Sequence, residues 1–369
     1  PTVTLAVSAT SIAENAGSFL TLTATLSGTT DETVTVALGT SGSATEGTDY
    51  TDGSGNVDDI TISAGSTTGT VNFTPTDDSV YENDETATIA ITGVSGGGAS
   101  ESGSQSVTIT ISENESAPTV ALTVSASSIA ENAGSSLTLT ATLSVAADEA
   151  VTVSLSTSGT STEGTDYTDG SGNVDDITIS AGSTTGTVNF TPTDDSVYEG
   201  NETAIIAISS VSGADASESG SQSVTITITE NESAPTITLT RSAASIDENS
   251  ASTVTLTATI SGVTDSAVTV ALDTSGTATE GTDYGTISDI TISAGATTGT
   301  ATLDPTDDNI YEDDETATID IGSVSGKSGV TENGTQQVSV TIAENESAPT
   351  VTLATSATSI AENAGTSLT

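Results

Sequence analysis

Pro1, Pro118, Pro235 and Pro349 each begin a near-copy of one stretch: PTVTLAVSATSIAENAG, PTVALTVSASSIAENAG, PTITLTRSAASIDENSA and PTVTLATSATSIAENAG. The first two spacings are 117 residues and the third is 114. Solenoid units repeat every 20–50 residues, so a period this long describes whole domains in tandem, each large enough to bury its own core. The expected domains are residues 1–117, 118–234 and 235–348, with 349–369 as the start of a truncated fourth copy. That tail resembles a donor strand for another molecule, but the first copy already has its own opening strand, so a truncated repeat is the simpler reading.

Within the first copy apolar residues alternate with Thr or Ser, the period of a half-buried strand. Val3, Leu5 and Val7 mark the first strand, Leu20, Leu22, Ala24 and Leu26 the second, and Val34, Val36 and Leu38 the third. Ile60 and Ile62, then Val71 and Phe73, mark the fourth and fifth; Ala87, Ile89 and Ile91, then Val107, Ile109 and Ile111, the last two. Turns rich in Gly and Asp separate them, and no window has a helical period. The expectation is an all-β chain: a tandem array of seven-stranded antiparallel β-sandwiches of immunoglobulin-like size.

Charge narrows function. Lys and Arg total 2 against 51 Asp and Glu, a net charge of −49. Phosphate backbones and anionic membrane surfaces are thereby excluded as partners. No run of apolar residues is long enough to cross a membrane. With neither Cys nor His in the chain, the usual zinc and copper ligands are missing, and oxygen chemistry suited to Ca²⁺ or Mg²⁺ remains. The surplus acid is then either loaded with cations or a hydrated surface adapted to salt.

Strand parity separates these readings. If the first strand runs up, the connections after strands one, three and five, and the end of strand seven, all lie at one end. There stand Glu14; Glu46 and Asp49; Asp77, Asp78, Glu82, Asp84 and Glu85; and Glu113 and Glu115. The opposite end holds Asp31, Glu32 and Glu101. Two carboxylates about 4 Å apart repel by roughly 4 kcal/mol at an effective dielectric near 20. Eight of these held together are therefore costly unless divalent cations lie among them, and several ions at about 6–8 oxygens each would fit.

GTDY, ISAGSTTGTVNFTPTDDSVYENDE and VTITISENE, at these offsets, strongly resemble the Calx-beta domain, and the resemblance covers nearly the whole chain. It implies calcium in the loops at one end of the sandwich. Carried over by position, the ligands of the first copy would be Glu14, Asp49, Asp77, Asp78, Glu82, Glu85, Glu113 and Glu115, joined by the carbonyl of Val80. Those of the second would be Glu131, Asp166, Asp194, Asp195, Glu199, Glu202, Glu230 and Glu232. Those of the third would be Glu248, Asp283, Asp307, Asp308, Glu312, Glu315, Glu344 and Glu346. Family members that bind calcium often carry a run of Asp after the last strand; here that run is Glu-Asn-Glu.

Other readings are weaker. DGSGNVDD at 52–59 has Val57 where an EF-hand loop needs Gly, and it reads as a surface turn. The tyrosines flanking the acidic loops (Tyr50, Tyr81, Tyr167, Tyr198, Tyr284 and Tyr311) read as packing residues rather than a sugar platform. Nothing favours an enzyme. Pro118 follows Glu115 within three residues, which places the acids of one copy at its join with the next. The expected function is a calcium-rigidified, secreted, bacterial stalk or filament of an adhesin or biofilm matrix, at the cell surface or outside it. Its partners would be calcium ions and neighbouring repeats, with lateral or end-to-end self-association open to it. A calcium sensor and a salt-adapted acidic spacer are the rivals.

Overall fold

The computed structural model describes residues 1–170, 172–362, 365 and 367. Ser171, in the second DGSGNVDD segment, and Asn363, Ala364, Thr366, Leu368 and Thr369, in the fourth copy, lie outside them. The chain forms two compact units, Pro1–Thr193 with Thr203–Ile228, and Asp194–Glu202 with Thr229–Thr369.

In the first repeat, alternation resolves into eleven strands. They are β1 (Thr2–Val7), β2 (Ser11–Ala13), β3 (Leu20–Leu26), β4 (Val34–Gly42), β5 (Tyr50–Thr51), β6 (Ile60–Ile62), β7 (Thr68–Pro75), β8 (Val80–Tyr81), β9 (Glu85–Ser95), β10 (Ser100–Glu101) and β11 (Ser106–Ser112). Seven are those expected; β2, β5, β8 and β10 are short additions. One sheet runs β10-β1-β3-β7-β5 and the other β2-β11-β9-β4-β6. Long neighbours are antiparallel, with Val3 opposite Leu26 and Leu20 opposite Phe73. β2 and β10 add parallel pairs, Ile12 opposite Ile111 and Thr2 opposite Ser100.

The parallel pair on β2 matters for the acids. The opening strand breaks after Val7 and its second half crosses to the other sheet, beside β11. The Glu14 amide then donates to the Ser112 carbonyl at 3.0 Å, so Glu14 leaves the sheet next to Glu113.

Between the sheets lie Val3, Leu22, Ala24, Val34, Ile60, Phe73, Ile89 and Ile109, all fully buried. Tyr50 closes this core with its ring stacked on Phe73, centroids 4.5 Å apart. The second repeat has the same two sheets and the same stack, Tyr167 on Phe190 at 4.6 Å. In the third, Leu303 replaces the Phe and stays fully buried.

Residues 349–362 form no strand, and Val351 and Leu353 stand almost fully exposed. Among the described residues no helix is long and apolar enough to cross a membrane.

Within the first unit, the two repeats are joined by main chain and side chain. β8 pairs in parallel with the two-residue strand Ala146–Ala147, Val80 opposite Ala146 and Tyr81 opposite Ala147. The Asp148 amide donates to the Tyr81 carbonyl at 3.2 Å. Tyr81 itself, 8% exposed, packs into the hydrophobic core of the second repeat with Ala147 and Ala214. Its hydroxyl lies 2.8 Å from Asn83 Oδ1 and 3.3 Å from Asp215 Oδ2.

Candidate metal centre

Two acidic clusters stand at one end of the first repeat. Glu14, Glu113 and Glu115 bring carboxylate oxygens within 4.8 Å of one another; Asp49, Glu82 and Glu85 do the same. Backbone geometry explains both. After Tyr81 the chain turns through Asn83, in the left-handed region at φ 64°, which short polar side chains tolerate. Gly200 and Asp313 occupy the same place in the other two loops, at φ 70° and 71°. Asp49 is fixed from the other side: its carboxylate accepts from the Thr45 amide at 2.5 Å and its carbonyl from the Thr76 amide at 2.9 Å.

In the first cluster Glu14 is 6% exposed, and the Asp78 amide donates to its Oε1 at 3.1 Å. Burial raises its pKa, partly offset by that amide, and Glu113 adds repulsion. Burial also works against the charge on Glu113, but the amides of Glu82 and Glu115 outweigh it and hold that carboxyl below its ordinary value. Glu115 is pushed up to about 7 by its hydrogen bond with the Glu113 carboxyl and by burial. Glu115 Oε2 is buried and meets no donor. In the second cluster, burial and the neighbouring Asp49 push Glu82 up to about 7 and Glu85 to about 8.

The other predicted ligands fall as follows. Asp77 and Asp78 are exposed at the rim, where their charges reach Glu14. Val80 lies in β8, its amide on Asp78 Oδ1 at 2.6 Å. In the third repeat Glu248, 7% exposed, joins Glu344 and Glu346, while burial and a hydrogen bond with Asp283 push Glu315 up to about 7. Glu344 is held down at about 2 by the amides of Glu312 and Glu346. Glu346 rises to about 7 against Glu344, and its Oε2 is again buried without a donor. Asp307 and Asp308 are outer charges there as well, and the Asp308 amide bonds Glu248. In the second repeat Glu131, 6% exposed, and Asp166 belong to the first unit. Asp194, Asp195, Glu199, Glu202, Glu230 and Glu232 belong to the second, where Glu230 accepts from the amides of Glu199 and Gly200 at 2.6 Å each.

One residue grouped with these acids stands apart from them, and another escaped sequence reasoning. Glu46 serves its own loop: it accepts from the Val57 amide at 2.6 Å and from the Thr40 hydroxyl at 3.0 Å. Asp148, from the second repeat, lies close enough to the second cluster to raise both Glu82 and Glu85. Its own carboxyl is raised by burial, by Glu149 and by Asp49. The signal was present in the order of the copies. Acids at the lower end of one repeat meet the upper end of the repeat before it.

This donor set fits a hard divalent cation. Every side chain in the two clusters is a carboxylate, buried Glu is rare without a partner, and the clusters hold more negative charge than their amides satisfy. The same arrangement sets a pH response. The folded chain retains protons on Glu82, Glu85 and Glu115 up to about pH 7–8, against an ordinary value of 4.5. The folded state therefore binds more protons than the unfolded one in that window, and stability falls as pH rises through it. A melting series in chelator from about pH 5 to about pH 8 is expected to show a decreasing Tm. A flat or rising series would mean that these carboxylates do not crowd one another.

Three successive matches to the Calx-beta domain cover residues 1–115, 113–232 and 230–346. The chain belongs to the Calx-beta family. No curated protein sequence matches it. Among solved structures, the chain is similar to CBD12 from CALX1.2, with 16% identity and a TM-score of 0.28, over 62% of this chain and 100% of that one. The apo form of the Calx CBD1 domain is 21% identical with a TM-score of 0.25, over 30% of this chain and 98% of that one. Invasin, a bacterial integrin-binding protein, is 16% identical with a TM-score of 0.30, over 94% of this chain and 60% of that one.

Proposed function

We propose that this chain is a calcium-binding structural segment of a secreted stalk or filament, of the kind an adhesin or extracellular matrix uses, with calcium held where one Calx-beta repeat meets the next. The observation that carries this reading is Glu14, a carboxylate 6% exposed whose neighbours within 4.8 Å are the carboxylates of Glu113 and Glu115. Glu14, Asp49, Glu82, Glu85, Glu113 and Glu115 would be the inner ligands of the first repeat, with Asp77, Asp78 and the Val80 carbonyl outside them. Asp148 brings the following repeat to the same charges, so a cation there would bind two repeats at once. No nucleophile, base or substrate cleft enters the reading, and the role is mechanical rather than enzymatic.

Affinity tests it. Extracellular modules bind calcium at about 10⁻⁴–10⁻³ M, and sensors about a hundredfold or more tighter. Calorimetric titration of the whole chain is expected to show several sites in the weaker range. Micromolar sites would favour a sensor, and no uptake at millimolar calcium would leave only a salt-adapted spacer.

A further inference from the structure

The two acidic loops that follow the fifth long strand in the first and second repeats are seated differently, and the difference is one of the chain's two basic side chains. In the second unit the loop Asp194–Glu202 lies against the third repeat: Val197 and Tyr198 pair in parallel with Val263 and Thr264. A Cβ at Gly329 would come within 2.3 Å of the Tyr198 hydroxyl, so only glycine allows that approach. Beside it the Lys327 ammonium donates to the Glu199 carbonyl and pairs with Asp265 Oδ1 at 2.7 Å. The Lys327 side chain is 13% exposed. It lines a groove of about 600 Å³ whose walls include Glu199, Asn201 and Glu230.

In the first unit the equivalent place is acidic. The turn Ser325–Gly326–Lys327 corresponds to Ser212–Gly213–Ala214, and Ala214 is followed by Asp215, which approaches Tyr81. Asp265 corresponds to Asp148, which faces Glu82, Glu85 and Asp49 with their like charges. Where the first loop meets another carboxylate, the second meets an ammonium. An exposed surface pair would contribute little, but a mostly buried ammonium on a main-chain carbonyl makes a charge-assisted hydrogen bond that is costly to lose.

We propose that Lys327 is a built-in counter-cation that keeps the loop Asp194–Glu202 seated on the third repeat without calcium, whereas the loop Thr76–Glu85 depends on calcium. The second half of that statement rests on the function proposed above; the first does not. Hydrogen exchange by mass spectrometry on the whole chain, in millimolar calcium and in chelator, separates them. In the unaltered chain, peptides covering 77–85 are expected to exchange roughly tenfold faster in chelator, and peptides covering 194–202 to change little. Lys327→Met is expected to make 194–202 exchange roughly tenfold faster in chelator, and Lys327→Arg to restore protection.

Peptides holding Ile319 and Ile342, both in the third core, report whether the fold survives. If they also lose protection in Lys327→Met, Asp265→Asn replaces it, withdrawing the acidic partner outside that core. Acceleration confined to 194–202 supports the proposal. In the variant, protection of 194–202 in chelator equal to that of the unaltered chain, with the core intact, overturns it. Indifference of 77–85 to chelator would sink the calcium reading and leave the result on Lys327 standing.

Discussion

Withdrawing calcium from the chain at neutral pH is expected to lower its Tm by roughly ten degrees or more, a loss that NaCl does not restore. A ligand at 100 times its Kd contributes about 2.7 kcal/mol per site, and about 1 kcal/mol moves Tm by roughly 4–8 °C in a domain of this size. The cause is local. Glu14, Glu113 and Glu115 hold carboxylate oxygens within 4.8 Å of one another, far inside the roughly 10 Å over which 0.1 M salt screens exposed charge. Monovalent ions thin the long-range field but do not enter a buried set of oxygens. Glu115→Gln should sharpen the result: its amide can donate to the Glu113 carboxylate, so the metal-free Tm should rise while the calcium increment shrinks. Equal stabilisation by NaCl alone would return the acids to a hydrated surface.

Tyr81→Ala is expected to destabilise the second repeat, not the first, by about 3 kcal/mol, in the range for emptying a buried aromatic site. Tyr81 is 8% exposed and counted among the residues of the second core, and its hydroxyl meets Asn83 and Asp215. Hydrogen exchange at Val153 and Ile206, both fully buried in that core, should quicken by roughly a hundredfold. Exchange at Val36 and Ile89 of the first core should hold. Tyr311, 38% exposed at the same loop position of the third repeat, supplies the control: Tyr311→Ala should stay within about 0.5 kcal/mol, as surface changes do. Loss of protection in the first core instead would mean that Tyr81 supports its own repeat.

Alternation of Thr with Val, Ile and Leu was enough to place the seven expected strands, and strand parity alone brought Glu14, Glu113 and Glu115 to one end. It grouped Asp77 and Asp78 with them without separating inner from outer, because periodicity says which end a loop occupies and not how deep its residues lie. Tyr50 behaves as a packing residue of its own core. Tyr81 packs too, but across a join, and Asp148 acts across the same join; a pattern read within one copy is blind to what the next copy places against it. β2 was invisible for another reason. Ser11–Ala13 carries a single large apolar residue, Ile12, and so shows no alternation, and only its pairing with β11 reveals that the opening strand changes sheets.

Tyr81 belongs to the first repeat by chain and to the second by burial, and that gives this join a polarity. A protease nick in the exposed stretch Thr76–Ser79 would leave the core around Val34, Ile60 and Ile109 with its full complement of side chains, while loosening the plug of the domain downstream. Damage of this kind would travel toward the C-terminus. The second repeat would thus be sensitive to the integrity of the first, and it would complete its packing only once Tyr81 is in place.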